Sequence, residues 1–357
     1  MSSRTNFLNN LASKKITYNL GAGTPPLSLY SAINTFALLG NKNISVDSNI
    51  INYHQTSGFI NEEASLFFQK NENVQVEPSN ILITNGVQEG ISLAISCFKD
   101  KVLACIEPSY PGFEDAAKLF GCEILKFTSN WLEELEKLPA GSLFYLSADF
   151  SNPLGISLNG RERSRLIELA IKNNFYIFDD ATYRLFNLDS PFPSLLSYNS
   201  GKVIHAMSFS KILAPGLRTG FLAIPDILMN DFISAKANFS LNNSGITQEI
   251  IKQWLIFSEF DLSKHLNKVR ERLIRNRAIL MKHKINYNGG FFCSLTLDKL
   301  IDFEFCEQLL LRENISVIPM MLFSENPKFQ NQLRICVANI EAEQLKYVIN
   351  KIKKFDV

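Results

Sequence analysis

The thirteen residues SFSKILAPGLRTG, Ser208 to Gly220, gather two serine hydroxyls (Ser208, Ser210), an amine (Lys211) and a guanidinium (Arg218) around a Pro-Gly turn. A lysine amine can condense with an aldehyde, and hydroxyls with a guanidinium fork can hold a phosphate. The segment therefore reads in one of two ways. It is a solvated loop with scattered polar residues, or a site that holds an aldehyde and a phosphate at once.

Four more segments present polar or aromatic residues in comparable places. TNGVQEG (84–90) follows an apolar run and opens a helical pattern, so the amides of Gly86, Val87 and Gln88 would face whatever sits on that helix N-terminus. An anion suits such a place. EPSYPGF (107–113) sets Tyr110 between two prolines, where its ring could offer a flat surface. SNPLG (151–155) carries Asn152, and DDATYR (179–184) carries Asp179, Asp180 and Tyr183. Each alone is equally compatible with an ordinary turn.

The elements that must position these residues are legible as alternating patterns. NILITNG (80–86), KVLACIE (101–107), EILKFT (123–128), SLFYLSA (142–148), FYIFDDA (175–181), VIHAMSF (203–209) and RTGFLAI (218–224) read as strands. Helical stretches such as VQEGISLAISCF and NGRERSRLIELAIKNN lie between several of them, the second opening on Asn159 as a cap. Strand and helix in alternation predict a mostly parallel sheet covered on both faces, with the ligand site beyond the carboxyl ends of the strands. After about residue 240 the pattern changes to long helices (246–258 and 262–284), then GGFFCSLTL, DFEFCEQLLLREN, ISVIPM, QLRICVA and a helix near 341–355. This predicts an α/β fold with a seven-stranded sheet in a three-layer large domain (45–240), a smaller α+β domain (241–357) and an N-terminal arm (1–44) packing with the latter.

Composition excludes several function classes. A chain of 357 residues suits one large domain plus a smaller one, and a 46% hydrophobic fraction is ordinary for a globular protein. No apolar run reaches the roughly 18 residues of a membrane helix. The first residues, MSSRTNFLNNLASKK, lack an apolar stretch long enough for a secretory signal, so the expected compartment is the cytoplasm. With 36 basic and 35 acidic side chains there is no net field to draw nucleic acid. The six cysteines form no CxxC pair, so neither a zinc site nor a disulfide framework is expected.

Taken in order, the strand ends carry a glycine-led amide cradle, an aromatic, an asparagine before proline, an aspartate with a tyrosine three residues on, and the Ser/Lys/Arg segment. This set resembles the fold-type I pyridoxal-phosphate enzymes, specifically the class I/II aminotransferases, from about Asn19 to Ala338. SFSKxLAPGLRxG is its most specific piece. The resemblance implies that Lys211 forms the Schiff base (the internal aldimine) with pyridoxal 5'-phosphate and afterwards carries a proton, and that Asp180 rather than Asp179 pairs with the ring nitrogen. It further implies that Tyr183 and Asn152 hydrogen-bond the ring 3-oxygen and that Tyr110 stacks on the ring. Gly86, Val87, Gln88, Ser208, Ser210 and Arg218 would hold the phosphate. Gly23, in NLGAGTPP (19–26), would line the substrate pocket, and Arg334, in QLRICVA, would bind the substrate carboxylate. Tyr53 would reach the neighbouring subunit's phosphate across a homodimer interface.

The family usually has a small or hydroxyl residue at the position of Val87 and threonine at that of Leu154, so one side-chain hydrogen bond is expected to be missing. The implied reaction moves an amino group between an L-amino acid and a 2-oxo acid. The alternative is a non-transaminating enzyme of the same scaffold, such as a decarboxylase, lyase, cyclising synthase or oxidase, because a fold does not settle a reaction. A ligand-sensing regulator is the weaker reading, since only about 18 residues precede NLGAGTPP. Tyr18, Leu20, Thr24 and MLFSEN (321–326) are candidates for the substrate side-chain pocket.

Overall fold

Seven short apolar runs assemble into the main sheet, and their order explains why polar residues from distant segments can meet. The strands are β2 (Ile81–Thr84), β3 (Leu103–Ile106), β4 (Ile124–Phe127), β5 (Leu143–Leu146), β6 (Tyr176–Asp180), β7 (Val203–Ser208) and β8 (Gly220–Ala223), in spatial order β2-β8-β7-β6-β5-β3-β4. The pairs β3–β4, β3–β5, β5–β6 and β6–β7 are parallel, whereas β8 runs antiparallel to both β7 and β2. Six strands thus point one way, and the ends of β2, β3, β5, β6 and β7 open on a common edge. The computed structural model describes residues 16–23, 50, 52–256 and 262–355. Most of the expected 1–44 arm, Thr24 included, lies outside them.

Apart from the edge strand β4, whose middle residues are exposed, the strands are buried on nearly every residue, which is why they read as continuous apolar runs rather than as alternating ones. Helices α2 (Val87–Cys97), α3 (Pro111–Leu119) and α7 (Asp226–Phe239) cover one face, and α5 (Gly160–Asn173) with the shorter α4 (Trp131–Glu134) covers the other. Helix α5 begins where the sequence predicts. The Asn159 side chain accepts from the Arg161 and Glu162 amides, and Glu162 reaches back to the Asn159 amide. Such a reciprocal cap fixes the first turn and the entry of the chain.

The C-terminal part carries a three-stranded antiparallel sheet of β9 (Phe292–Thr296), β11 (Ile318–Pro319) and β12 (Gln332–Cys336), in the order β11-β12-β9. Helices α9 (Leu262–Lys282), α10 (Phe303–Glu313) and α11 (Ala342–Lys354) pack around it. The N-terminal β1 (Tyr18–Asn19) pairs in parallel with β10 (Ile315–Ser316), and the Cys336 amide donates to the Leu20 carbonyl at 2.7 Å. Helix α8 (Gly245–Ile256) turns back toward α1 (Asn61–Glu72): its Gln248 accepts from the Phe59 amide at 3.0 Å.

Beneath the site edge runs a buried chain of alternating charges. Asp179 accepts from His205 Nδ1 at 3.0 Å, and His205 Nε2 lies 3.8 Å from Glu72, an ion-pair rather than a hydrogen-bond separation. Glu72 then meets Arg184 at 2.5 Å, Arg184 meets Asp149 at 2.7 Å, and Asp149 meets Arg163 at 2.7 Å. Three acids and three bases balance, so each buried charge has an opposite neighbour. Removing one partner from such a pair typically costs about 3–5 kcal/mol, because the other is left buried and uncompensated.

Candidate active site

At the carboxyl edge of the main sheet lies a cleft of about 260 Å³, lined by residues from five strand ends and from β9 and β12. Its floor at one end is built to receive an anion. Strand β2 leaves into Gly86, whose φ of 78° is unfavourable for a residue with a side chain, and α2 begins at Val87. The first amides of α2 therefore face the cleft. A Cβ at Gly86 would sit 3.0 Å from Arg218 Nη2, so the missing side chain is what lets the guanidinium close on the helix start. Arg218 donates from Nη1 to Ser210 Oγ at 3.3 Å and from Nη2 to the Asn85 carbonyl at 2.9 Å. Ser208 caps the short helix α6 (Phe209–Ile212) by accepting from the Ser210 amide. Hydroxyls, amides and a guanidinium converge there with no acid among the lining residues at that end.

The middle of the cleft holds Lys211, Asp180, Tyr110 and Tyr183. Burial pushes the Lys211 ammonium below the usual lysine range, so it gives up a proton more readily. Asp180, at the end of β6, is buried, and burial pushes its carboxyl above the usual carboxylate range. Its hydrogen-bond donors are all neutral. Thr182 gives its amide at 3.2 Å and its hydroxyl at 2.5 Å to Oδ1, and the Tyr145 hydroxyl gives to Oδ2 at 3.0 Å. Asp179, next in the chain, turns to the other side of the sheet and joins His205. Burial and the Asp180 charge raise the Tyr183 phenol well above its ordinary value, so it stays protonated and can donate.

The far end holds a buried guanidinium. Arg334, on β12, is buried; its Nη1 donates to Asn152 Oδ1 at 2.9 Å and its Nη2 to the Gly21 carbonyl at 2.7 Å. Its guanidinium carbon lies 4.3 Å from the Phe292 ring centre and 4.9 Å from that of Phe323. Two rings over one cation hold its plane and add cation–π attraction. A guanidinium can only donate, so the Asn152 atom facing it is the amide oxygen, which leaves the Asn152 NH2 as a donor to the cleft. A Cβ at Gly23 would lie 2.7 Å from Phe292 Cζ and 3.6 Å from the Tyr183 hydroxyl, so bulk there would crowd the same space.

Of the residues expected from sequence, Gly23, Val87, Gln88, Tyr110, Asn152, Asp180, Tyr183, Ser208, Ser210, Lys211, Arg218 and Arg334 all line this one cleft, and Gly86 abuts it through Arg218. Tyr53 does not; the residue is 85% exposed. Leu20 is buried in the core and Tyr18 packs on Tyr347 at 5.7 Å, so neither lines the cleft. Of MLFSEN, Phe323 covers Arg334, while Ser324 turns away to donate to Glu107. Sequence reading missed Thr182, Phe292 and Tyr145. Thr182 had a local signal, a hydroxyl two residues after an aspartate at a strand end. Phe292 and Tyr145 sit in apolar runs that look like core.

The residues present fit pyridoxal 5'-phosphate. The anion cradle suits its phosphate, Lys211 its aldehyde, and the buried Asp180 carboxylate, which accepts only from neutral donors, suits a protonated ring nitrogen.

Comparison with known proteins agrees with this geometry. The family model "Aminotransferase class I and II" matches residues 15–352. The (S)-3,5-dihydroxyphenylglycine transaminase of Amycolatopsis orientalis is 26% identical over 343 residues, covering 86% of this chain and 78% of that protein. The HTH-type transcriptional regulator NorG of Staphylococcus aureus is 22% identical over 366 residues, covering 97% of this chain and 82% of the regulator. Among solved structures, LysN, the α-aminoadipate aminotransferase of Thermus thermophilus with N-(5'-phosphopyridoxyl)-L-leucine bound, superposes with a TM-score of 0.83 at 23% identity, covering 99% of this chain and 96% of that one. With the match running nearly end to end and the lysine, the buried aspartate and the phosphate cradle in one cleft, this chain belongs to the class I and II aminotransferases, pyridoxal-phosphate enzymes of fold type I.

Proposed function

We propose that this aminotransferase runs both halves of amino-group transfer over a single set of cleft residues, with an L-amino acid as donor and a 2-oxo acid as acceptor. The observation that carries the reading is Arg334. It lies in the cleft that holds Lys211 and Asp180, with its guanidinium plane fixed by two rings and two acceptors. Donor and acceptor share a carboxylate next to the reacting carbon, so one two-pronged cation can hold both in turn.

Bound pyridoxal phosphate supplies an electron sink for the carbon that loses its proton. The chain's own residues do the rest. Lys211 would hold the cofactor through its aldehyde and, once the substrate amine has taken its place, its Nζ would carry the proton between the substrate Cα and the former aldehyde carbon on the other side of the nitrogen. Asp180 would keep the ring nitrogen protonated, Tyr183 and Asn152 would donate to the ring 3-oxygen, and Tyr110 would lie against the ring face. The Gly86–Gln88 amides, Ser208, Ser210 and Arg218 would hold the phosphate, and Gly23 would leave room for substrate beside Phe292. The exposed Tyr53 supports a homodimer in which it reaches the neighbour's phosphate, and the cytoplasm is the working compartment. The similar enzymes carry names for different substrates, so they support the reaction and not a particular side chain.

The test is a single turnover of the holoenzyme with each of a panel of amino acids and no acceptor. Stoichiometric 2-oxo acid, with the cofactor left as its amine, is expected. Release of carbon dioxide, consumption of oxygen or return of the cofactor unchanged for every active amino acid would overturn the reading.

A further inference from the structure

We infer that Tyr145 is a positioning residue for this reaction: its buried hydroxyl, donated to Asp180 Oδ2, keeps Asp180 in the anionic form that leaves the proton on the cofactor ring nitrogen. The inference rests on the reading that Asp180 faces that nitrogen.

Tyr145 stands in the middle of β5 and is 2% exposed. Its ring is stacked on Phe113, with centroids 4.5 Å apart and planes 12° from parallel, and lies against Phe178 on the other side at 5.9 Å. A phenylalanine would fill that slot equally well. The hydroxyl is therefore not needed for packing, and its bond to Asp180 at 3.0 Å is what distinguishes it. Burial and the nearby Asp180 charge hold the phenol well above its ordinary value, so it is a donor at every working pH.

The consequence follows from where one shared proton rests. Asp180 and the ring nitrogen hold a proton between them. Each donor to the carboxylate makes it a weaker base and leaves the proton on nitrogen. Thr182 serves Oδ1, and Tyr145 serves Oδ2. Without the phenol, Oδ2 becomes more basic and draws the proton across, which leaves the ring nitrogen neutral and a poorer electron sink. No proton is gained or lost in the shift. A hydrogen bond to a charged group is strong enough to move the Asp180 pKa by about one to two units.

The test uses holoenzyme reconstituted with pyridoxal phosphate carrying 15N in the ring. Tyr145→Phe keeps the stack, and its fold is checked by thermal melting. At neutral pH its ring-nitrogen signal should move toward the unprotonated position, while the pH at which the pair finally releases its proton should rise by about one unit. A merely loosened site would lower that pH, since a weaker ion pair releases its proton sooner. In parallel, kcat should fall roughly tenfold with KM changed by less than about twofold. Asp180→Asn separates the two levels of the argument. If Asp180→Asn shifts the 15N signal and Tyr145→Phe leaves it in place, the role of Tyr145 is refuted while that of Asp180 stands. If neither moves it, Asp180 does not face the nitrogen and both fail.

Discussion

Replacing Arg334 with lysine keeps the positive charge and removes the fork. In the native protein Nη1 holds Asn152 and Nη2 holds the Gly21 carbonyl, while Phe292 and Phe323 fix the plane between them. An ammonium on a flexible stem can meet a carboxylate with one bond where the guanidinium offers two. A lost charge-assisted hydrogen bond corresponds to about 1.5–3 kcal/mol, or roughly 10- to 150-fold in kcat/KM. The decisive feature is symmetry. If amino acid and 2-oxo acid place their carboxylates on the same group, as proposed, the two half-reactions should fall by the same factor within about threefold. Each is measured separately by stopped-flow absorbance of the cofactor, the first with amino acid added to the aldehyde form and the second with oxo acid added to the amine form. The cofactor's own dissociation constant should stay within a few-fold, because the phosphate cradle is at the other end of the cleft. A loss confined to one half-reaction, or a loss below about threefold in both, would refute the assignment of Arg334 as the common carboxylate site.

Three other outcomes are expected. Lys211→Ala should still bind pyridoxal phosphate through the phosphate cradle yet show no cofactor-mass adduct by mass spectrometry after borohydride treatment; an adduct at another lysine would move the role. Burial opposes protonation of His205, but its hydrogen bond to Asp179 and the Glu72 carboxylate raise its pKa to about 9, above the ordinary value near 6.5. That stabilisation, on the order of 3 kcal/mol, is complete below pH 6.5 and disappears as pH rises through about 9. The melting-temperature gap between wild type and His205→Gln should therefore close from pH 7 to 10, and a gap that widens would contradict the charge chain. Finally, inactive Tyr53→Ala mixed with inactive Lys211→Ala should regain part of the wild-type activity, because one of the two hybrid sites is complete. No gain despite subunit exchange, followed by mass spectrometry of tagged subunits, would leave Tyr53 without a role across the interface.

What the sequence determined by itself was the set of strands and the polar residues at their ends. Parallel strands covered on both faces must be apolar throughout, so ILIT, LACI, LFYL and VIHAM announce themselves without a homologue. The topology rule then puts their carboxyl ends on one edge, and the residues just past them become one candidate site. The Asn159 cap was legible for the same reason: its physics is complete within four residues. Other features depend on contacts that no local pattern encodes. Arg334 meets Asn152 across 182 positions and Gly21 across 313, and only the tertiary fold, which sets β12 against the segments that follow β1 and β5, brings them together. Tyr145 and Phe292 read as core because their strands bury them; that one donates to Asp180 and the other covers Arg334 is decided by which neighbour the fold sets against each ring. The same holds for His205. In sequence it is a lone histidine in an apolar run, and only the tertiary fold gives it a carboxylate at each ring nitrogen, because Glu72 comes from α1 and Asp179 from the adjacent strand.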